Sequence, residues 1–194
     1  MAPAAMLLAT ACGDRTEEAP TPDPFISTDN PRDELTEADY GDLDPSQVGL
    51  NTPWGRNIVS KDAAPDRAPA TLTNVSTQSS DGYDRVVFAF DSHIPGFRLA
   101  LGTEAAGGCD GTGEAIEAPA HLAVELTGAQ ANRDGSATVA DPSRTLDFPA
   151  LTAAMQTCDE GGSVRWVLSM TGEVEYRIME TLGEPRLVVD LRRR

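Results

Sequence analysis

The chain of 194 residues carries 31 acidic and 15 basic side chains, giving a formal net charge of -16 at pH 7. Nucleic-acid phosphates and the anionic face of a membrane repel a chain with this much negative charge. We therefore expect no nucleic-acid partner. The length suits one domain preceded by a tail, because two very small domains would each have too little core.

The chain begins with a short apolar run, Met6 to Ala11, that ends in small residues and is followed by Cys12. This pattern resembles the lipobox of bacterial lipoproteins, in which a peptidase cleaves beside small side chains and the cysteine thiol accepts a lipid. We therefore predict a signal segment over residues 1–12, lipidation of Cys12 and anchoring to the cell membrane. No basic residue precedes the run, so we expect the start codon to lie upstream. The alternative is a disordered stub with an incidental thiol.

Residues 13–51 form an acidic segment that contains five prolines. Eleven Asp or Glu accompany only Arg15 and Arg32, and the apolar residues follow neither a helical nor a strand period. Such a segment cannot bury enough surface to order itself, so we predict a disordered tether between the anchor and a folded domain. The alternative is that the negative charge of this segment serves only to keep the chain soluble.

From residue 52 onward, apolar and polar residues alternate and turn residues recur at short intervals, which is typical of an all-β domain. We predict one small β-sandwich of about seven strands over residues 52–194. Residues 146–155 fit either a short helix or an irregular loop, and neither changes the fold class. The expected strands are Leu72–Thr77, Arg85–Asp91, Gly96–Leu101, His121–Thr127, Val164–Met170, Glu175–Met179 and Arg186–Leu191.

Strand parity separates a core face from an outer face. Apolar residues such as Val86, Phe88 and Phe90 share one face of their strand. If their strands are neighbours, arginines on the opposite parity would bind anionic polymers through paired hydrogen bonds. The interpretation we favour is that each arginine is solvated or paired with a cross-strand Asp or Glu. The arginines concerned are Arg85, Arg98, Arg165, Arg177 and Arg186.

Two further cysteines lie within the predicted domain, Cys109 in a Gly-rich loop and Cys158 before the strand of Trp166. An exported domain oxidises such a pair when the loops meet, so we predict a disulfide between Cys109 and Cys158. Two free thiols and a metal site are the alternatives. Neither cysteine has the Cys-x-x-Cys or histidine spacing of zinc sites, so we predict no metal.

The sequence offers little for catalysis. His93 and His121 are the only histidines, and we expect both at the surface, His93 in a loop and His121 on the polar parity of its strand. The Gly-x-Ser-x-Gly, phosphate-loop and His-Glu-x-x-His motifs are absent. The sequence contains enough acidic residues for a pair of catalytic carboxylates like that of glycosidases, but it singles out no particular pair. We therefore predict no enzymatic activity and no cofactor.

Five blocks of the sequence stand out, and they are Trp54–Gly55, Asp81–Phe88, Pro95–Arg98, Trp166–Leu168 and Pro185–Asp190. Together they resemble the AMIN-like domain of actinobacterial secreted proteins and lipoproteins. The resemblance spans most of residues 52–194, and the sequence departs from the family pattern in the loop from Gly102 to Pro119. The resemblance implies a β-sandwich related to the AMIN domain, which localises some of its bearers to peptidoglycan, and hence a wall- or envelope-binding role. It assigns no individual binding residue.

Taken together, these features predict a lipid-anchored, extracytoplasmic lipoprotein that binds peptidoglycan or another wall component as a monomer, without chemistry of its own. Two alternatives stay open. In one, the module scaffolds or inhibits another exported protein. In the other, it is a subunit of a wall hydrolase whose carboxylates the sequence does not identify.

Overall fold

The computed structural model describes residues 48–193, and this part of the chain contains fourteen β-strands and no helix. Within the same residues, no helix could span a membrane. The predicted signal segment, Cys12 and the tether up to residue 47 lie outside the described residues. The all-β fold class is confirmed.

The first sheet has six strands, numbered here in chain order. From one edge to the other they are Val48–Asn51 (β1), Val174–Thr181 (β13), Arg186–Arg193 (β14), Tyr83–Phe90 (β4), Ala70–Ser80 (β3) and Ala129–Gln130 (β7). Neighbouring strands are antiparallel, except that β3 and β7 are parallel.

The second sheet also has six strands, all antiparallel to their neighbours. In spatial order they are Ser143–Thr145 (β10), Leu151–Glu160 (β11), Ser163–Met170 (β12), Ala120–Thr127 (β6), Gly96–Gly102 (β5) and Val59–Lys61 (β2). Asn132–Arg133 (β8) and Ser136–Ala137 (β9) form a separate two-stranded ribbon.

The core lies between the two sheets and follows the predicted parity. Phe88 of β4 and Trp166 of β12 meet edge to face, with ring centroids 5.9 Å apart and planes at 74°. Both side chains are fully buried, and this geometry is the preferred one for aromatic pairs because the ring edge and ring face carry opposite partial charge. Their contact joins the centre of one sheet to the centre of the other.

A buried carboxylate joins the sheets at one end of the sandwich. Asp84 occupies the core-facing parity of β4 and is 1% exposed. It accepts hydrogen bonds from the backbone N–H groups of Ala150, at 2.6 Å, and Leu151, at 3.0 Å, and from the Ser79 hydroxyl, at 2.7 Å. Three donors compensate for the lost hydration of the charge, so Asp84 fixes β11 against β4.

Two contacts join the sheets on the side where β13 faces β5 and β2. The Tyr176 hydroxyl lies between two carbonyl oxygens that share its proton, that of Asn57 and, at 3.2 Å, that of Leu99. Lys61 Nζ lies 2.7 Å from the carboxylate of Glu180, whose side chain is only 5% exposed. These polar links fix the relative position of the sheets where apolar packing ends.

Two sequence predictions are wrong at the level of local structure. Residues 151–160 form a strand, whereas the segment 146–155 was expected to be a helix or an irregular loop. The register of β11 shifts twice along β12, so the β11 residues that lie opposite the core-facing row of β12 are spaced irregularly and strand alternation is lost. They are Leu151, Ala154, Gln156 and Asp159. Residues 48–51, assigned to the tether, pair with β13. Their side chains are mostly exposed, so the sequence carries no core pattern there.

Candidate binding site

The five arginines predicted as a site lie on the outer faces of two different sheets. Arg85, Arg177 and Arg186 belong to β4, β13 and β14 of the first sheet, and Arg98 and Arg165 belong to β5 and β12 of the second. The two outer faces of a sandwich point away from each other, so these side chains form two groups and not one surface.

On the first sheet, one carboxylate is shared by two arginines from the neighbouring strands. Asp190 pairs in register with Arg177 on one side and Arg85 on the other. Arg85 donates from Nε at 2.7 Å and from Nη2 at 2.9 Å, and Arg177 donates from Nε at 3.0 Å. Asp190 is 1% exposed and Arg177 is 4% exposed, so this is a buried ion triad on a face that parity assigns to solvent.

Two aromatic rings cover the triad. The guanidinium carbons of Arg177 and Arg192 each lie 4.5 Å from the centroid of the Trp54 ring, and that of Arg85 lies 5.1 Å from the centroid of Tyr83. Cation–π attraction at these distances is strengthened by desolvation. We call this group the arginine–aromatic cluster, and its members are Trp54, Tyr83, Arg85, Arg177, Asp190 and Arg192.

Trp54 reaches the cluster because the chain after β1 continues along the edge of β13. The Thr52 N–H donates to the Ile178 carbonyl at 2.9 Å, and Gly55 and Tyr176 exchange two backbone hydrogen bonds of 3.0 and 2.9 Å. These contacts hold the residues on both sides of Trp54. Three blocks that are distant in the sequence, around residues 54, 83 and 190, therefore meet on one face.

A groove of about 200 Å³ opens beside the cluster at the end of the sandwich. Tyr83 and Arg192 border it, Pro149 and Ala150 form part of its lining, and Arg193 also lines it. Arg193 continues the core-facing parity of β14 beyond the last apolar residue. Within residues 48–193 it has no ion-pair partner. The sequence prediction missed Arg192 and Arg193. For Arg193 the sequence carries a signal, because a basic residue that continues the core-facing row of a strand indicates that the sandwich is open at that end.

The second sheet repeats the arrangement in an exposed form. Glu125 of β6 lies between Arg98 and Arg165 in register, with N···O distances of 3.9 and 3.5 Å. All three side chains are partly open to water, so each pair contributes little to stability. Arg186, the remaining predicted arginine, pairs with Glu184 within its own hairpin.

The outer face of the second sheet also carries the Gly-rich loop. Cys109 and Cys158 form the predicted disulfide, with Cα atoms 4.6 Å apart. Cys158 pairs with Arg165 on the outward parity, so the bond ties the loop over this face. The bond closes a segment of the chain between two cysteines that are 49 positions apart. In the chain-entropy model, a covalent loop of this length stabilises the fold by about 4 kcal/mol, because it restricts the unfolded chain.

His121 is buried beneath that loop, so its predicted surface position is wrong. It lies on the outward parity of β6 beside Ser169, yet the two residues are only 2% and 4% exposed. Burial lowers the pKa of His121, and the backbone of Ile116 and the charge of Glu117 offset only part of that effect. Ser169 Oγ lies 3.4 Å from His121 Nδ1, but no substrate reaches a pair this deeply buried. His93 is half-buried and contacts the adjacent Ser92 hydroxyl.

The Gly-rich loop contains a larger open cavity of about 580 Å³. Glu104 and Glu117 supply the charged side chains of its lining, and the other lining residues are small or uncharged. This charge disfavours anionic ligands, whereas the groove beside Tyr83 is lined by two arginines and one carboxylate. Within residues 48–193, no three His, Cys, Asp or Glu side chains are placed to hold a metal ion.

A family model described as the AMIN-like domain matches residues 70–193, which is more than half of the chain. No curated protein matches. The matched region includes Tyr83, Arg85, Arg177 and Asp190, while Trp54 comes from the segment that precedes it.

Replacing Arg85 by alanine leaves buried Asp190 with one arginine, so we expect a loss of about 2–4 kcal/mol in the free energy of unfolding. Replacing Arg98 by alanine removes an exposed pair and should cost less than about 0.5 kcal/mol. Urea denaturation of both variants gives the comparison. Equal, small losses would show that Asp190 is rehydrated and that the triad does not stabilise the fold.

Acidification should destabilise the domain through His121. Because its folded pKa is lowered below the unfolded value of about 6.5, its contribution is complete above that pH and is lost as the pH falls below it. The free energy of unfolding should therefore decrease between pH 7.5 and 5.5, and His121→Gln should flatten the slope. His93→Gln is the matched control and should leave the slope unchanged. An unaltered slope in His121→Gln would refute the assignment.

Proposed function

The chain belongs to the AMIN-like domain family, and from this premise we propose that it is a non-catalytic module that binds an anionic polymer of the bacterial cell envelope. Peptidoglycan is the polymer that tests this proposal most directly. The observation that carries the proposal is the arginine–aromatic cluster beside an open groove. Family membership supports a cell-wall-related binding role, and the cluster offers a surface with suitable chemistry.

The cluster combines the two kinds of contact that such a polymer requires. The rings of Trp54 and Tyr83 present apolar faces with polar edges, which suit the C–H faces of sugar rings. The guanidinium group of Arg193, which lines the groove, suits carboxylate or phosphate because it offers a planar set of donors, and Arg192 beside it adds positive charge. The buried triad beneath holds these groups in place before a ligand arrives, which lowers the entropic cost of binding.

We propose that Cys12 carries the lipid anchor and that the acidic segment after it spaces the domain from the membrane. The support is the lipobox pattern together with the absence of a core pattern in residues 13–47. This places the module on the extracytoplasmic side, where a disulfide such as that of Cys109 and Cys158 persists.

The function is tested by co-sedimentation of the purified, oxidised chain with isolated cell-wall sacculi across 50 to 500 mM salt. We expect saturable binding that weakens as salt rises, because arginine contacts are screened. Arg192→Gln should weaken binding about tenfold, whereas Arg67→Gln, an exposed arginine outside both sheets' outer faces, should leave it unchanged.

Two outcomes would change the proposal. If the chain does not sediment, a partner among exported proteins becomes the better account. If Arg98→Gln and Arg165→Gln weaken binding while Arg192→Gln does not, the binding surface is the exposed row on the second sheet.

A further inference from the structure

We propose that the groove at the end of the sandwich recognises a terminal carboxylate that follows a small apolar side chain, with Arg193 as its main charged contact. This inference rests on the proposed function, because it names the chemical group that the same site would take from an envelope polymer. It is argued from the shape, the lining and the charge of the groove.

The groove lies where the core ends. Leu191 is the last apolar residue of the core-facing row of β14, and it pairs with Asp84 on β4. Pro149 and Ala150 line the groove from the second sheet, and Gly82 lines it from the turn of the β3–β4 hairpin. A Cβ placed on Gly82 would meet no atom within 4 Å, so the space beside the turn is open. Pro149, Ala150 and Leu191 form an apolar wall, charged and polar side chains complete the lining, and the mouth faces solvent.

The charges of the lining favour an anion. Asp84 is the one acidic residue that lines the groove, and its oxygens already accept hydrogen bonds from the Ser79 hydroxyl and from two backbone N–H groups. Arg192 is held by Glu175, with Nε and Nη2 at 3.2 and 3.0 Å from one carboxylate oxygen. Arg193 has no ion pair with any described residue, so its donors are available for a bidentate contact with an incoming carboxylate.

The volume limits what can enter beside that carboxylate. About 200 Å³ is less than the ligand pockets of about 300–1,000 Å³ that take drug-sized molecules. The space fits a group of one-residue size. Pro149, Ala150 and Leu191 provide an apolar surface next to Arg193, which matches a small aliphatic side chain next to a free carboxylate. A peptide end such as alanyl-alanine has this composition.

The probe is N-acetyl-D-alanyl-D-alanine, and its C-terminal amide is the matched control because it differs only in the charge. We would titrate each into the ¹⁵N-labelled, oxidised full chain and follow backbone amide shifts by NMR. We expect saturable shifts at Gly82, Tyr83 and Ala150, with the amide binding at least tenfold more weakly. One charge-assisted contact of this kind corresponds to about a tenfold change in affinity.

Variants separate the role of Arg193 from that of the arginine–aromatic cluster. Arg193→Gln should weaken binding of the acid about tenfold and leave binding of the amide unchanged, and Arg193→Lys should restore part of the loss. Arg67→Gln should behave as the parent chain.

Absence of shifts in the groove, or equal affinity for acid and amide, would overturn the inference. If Arg193→Gln lowers both affinities equally, the arginine shapes the groove and does not bind the carboxylate. The proposed function is judged separately, because salt-dependent sedimentation with sacculi that persists in Arg193→Gln supports envelope binding through other groups while the carboxylate inference fails.

Discussion

Asp190 receives hydrogen bonds from Arg85 and Arg177 on the outer face of the first sheet, where alternation alone would place all three in water. A carboxylate that is 1% exposed must be compensated by its neighbours, since the loss of hydration costs several kcal/mol per ion. Two guanidinium groups leave an excess positive charge, and the Trp54 and Tyr83 rings are close enough to stabilise it. The triad therefore needs its aromatic cover, and the segment that carries Trp54 becomes part of the domain.

The same dependence links the fold to the binding site. Tyr83 and Arg192 belong to the cluster and also border the groove, so the groups that would meet a ligand are held by side chains that are already buried. The second sheet uses its outer face differently. There the disulfide of Cys109 and Cys158 ties a Gly-rich loop over His121 and Ser169, so part of that face is covered and lies next to an acidic cavity. The rest of that face carries Arg98 and Arg165, which stay partly exposed on either side of Glu125. The first face combines arginines with aromatic rings beside an open groove, which favours it as the anion-binding side.

The expected strand Leu72–Thr77 carries no regular apolar row, because a register shift after Leu72 brings Val75, three positions on, into the core. Period-two patterning was enough to predict the other six expected strands, each of which carries a regular apolar row such as Val86, Phe88 and Phe90. It failed for β11, where two register shifts interrupt the row. It also failed for His121, because a loop that covers a sheet leaves no trace in the strand itself. The disulfide was predictable from two cysteines in a domain expected to be exported, and it anchors the loop under which His121 is buried.

The arginines show that the prediction of a binding site from the sequence has the same limit. Their outward parity follows from the sequence, but their division between two sheets depends on strand order, which pairing over long sequence distances decides. Arg177 and Asp190 are 13 positions apart, yet Arg85 pairs with the same carboxylate from 105 positions away. Trp54 was visible only as part of a block that resembles a family, and its place over the arginines required the structure.

The central claim, that the outer face and open end of the first sheet form the binding surface, is tested most directly by hydrogen–deuterium exchange of the full chain with and without soluble cell-wall fragments. The account predicts slower exchange on binding in residues 78–86 and 186–193, with residues 121–127 and 163–167 unchanged. Slower exchange confined to the segments around Arg98, Glu125 and Arg165 would contradict it and would move the site to the second sheet.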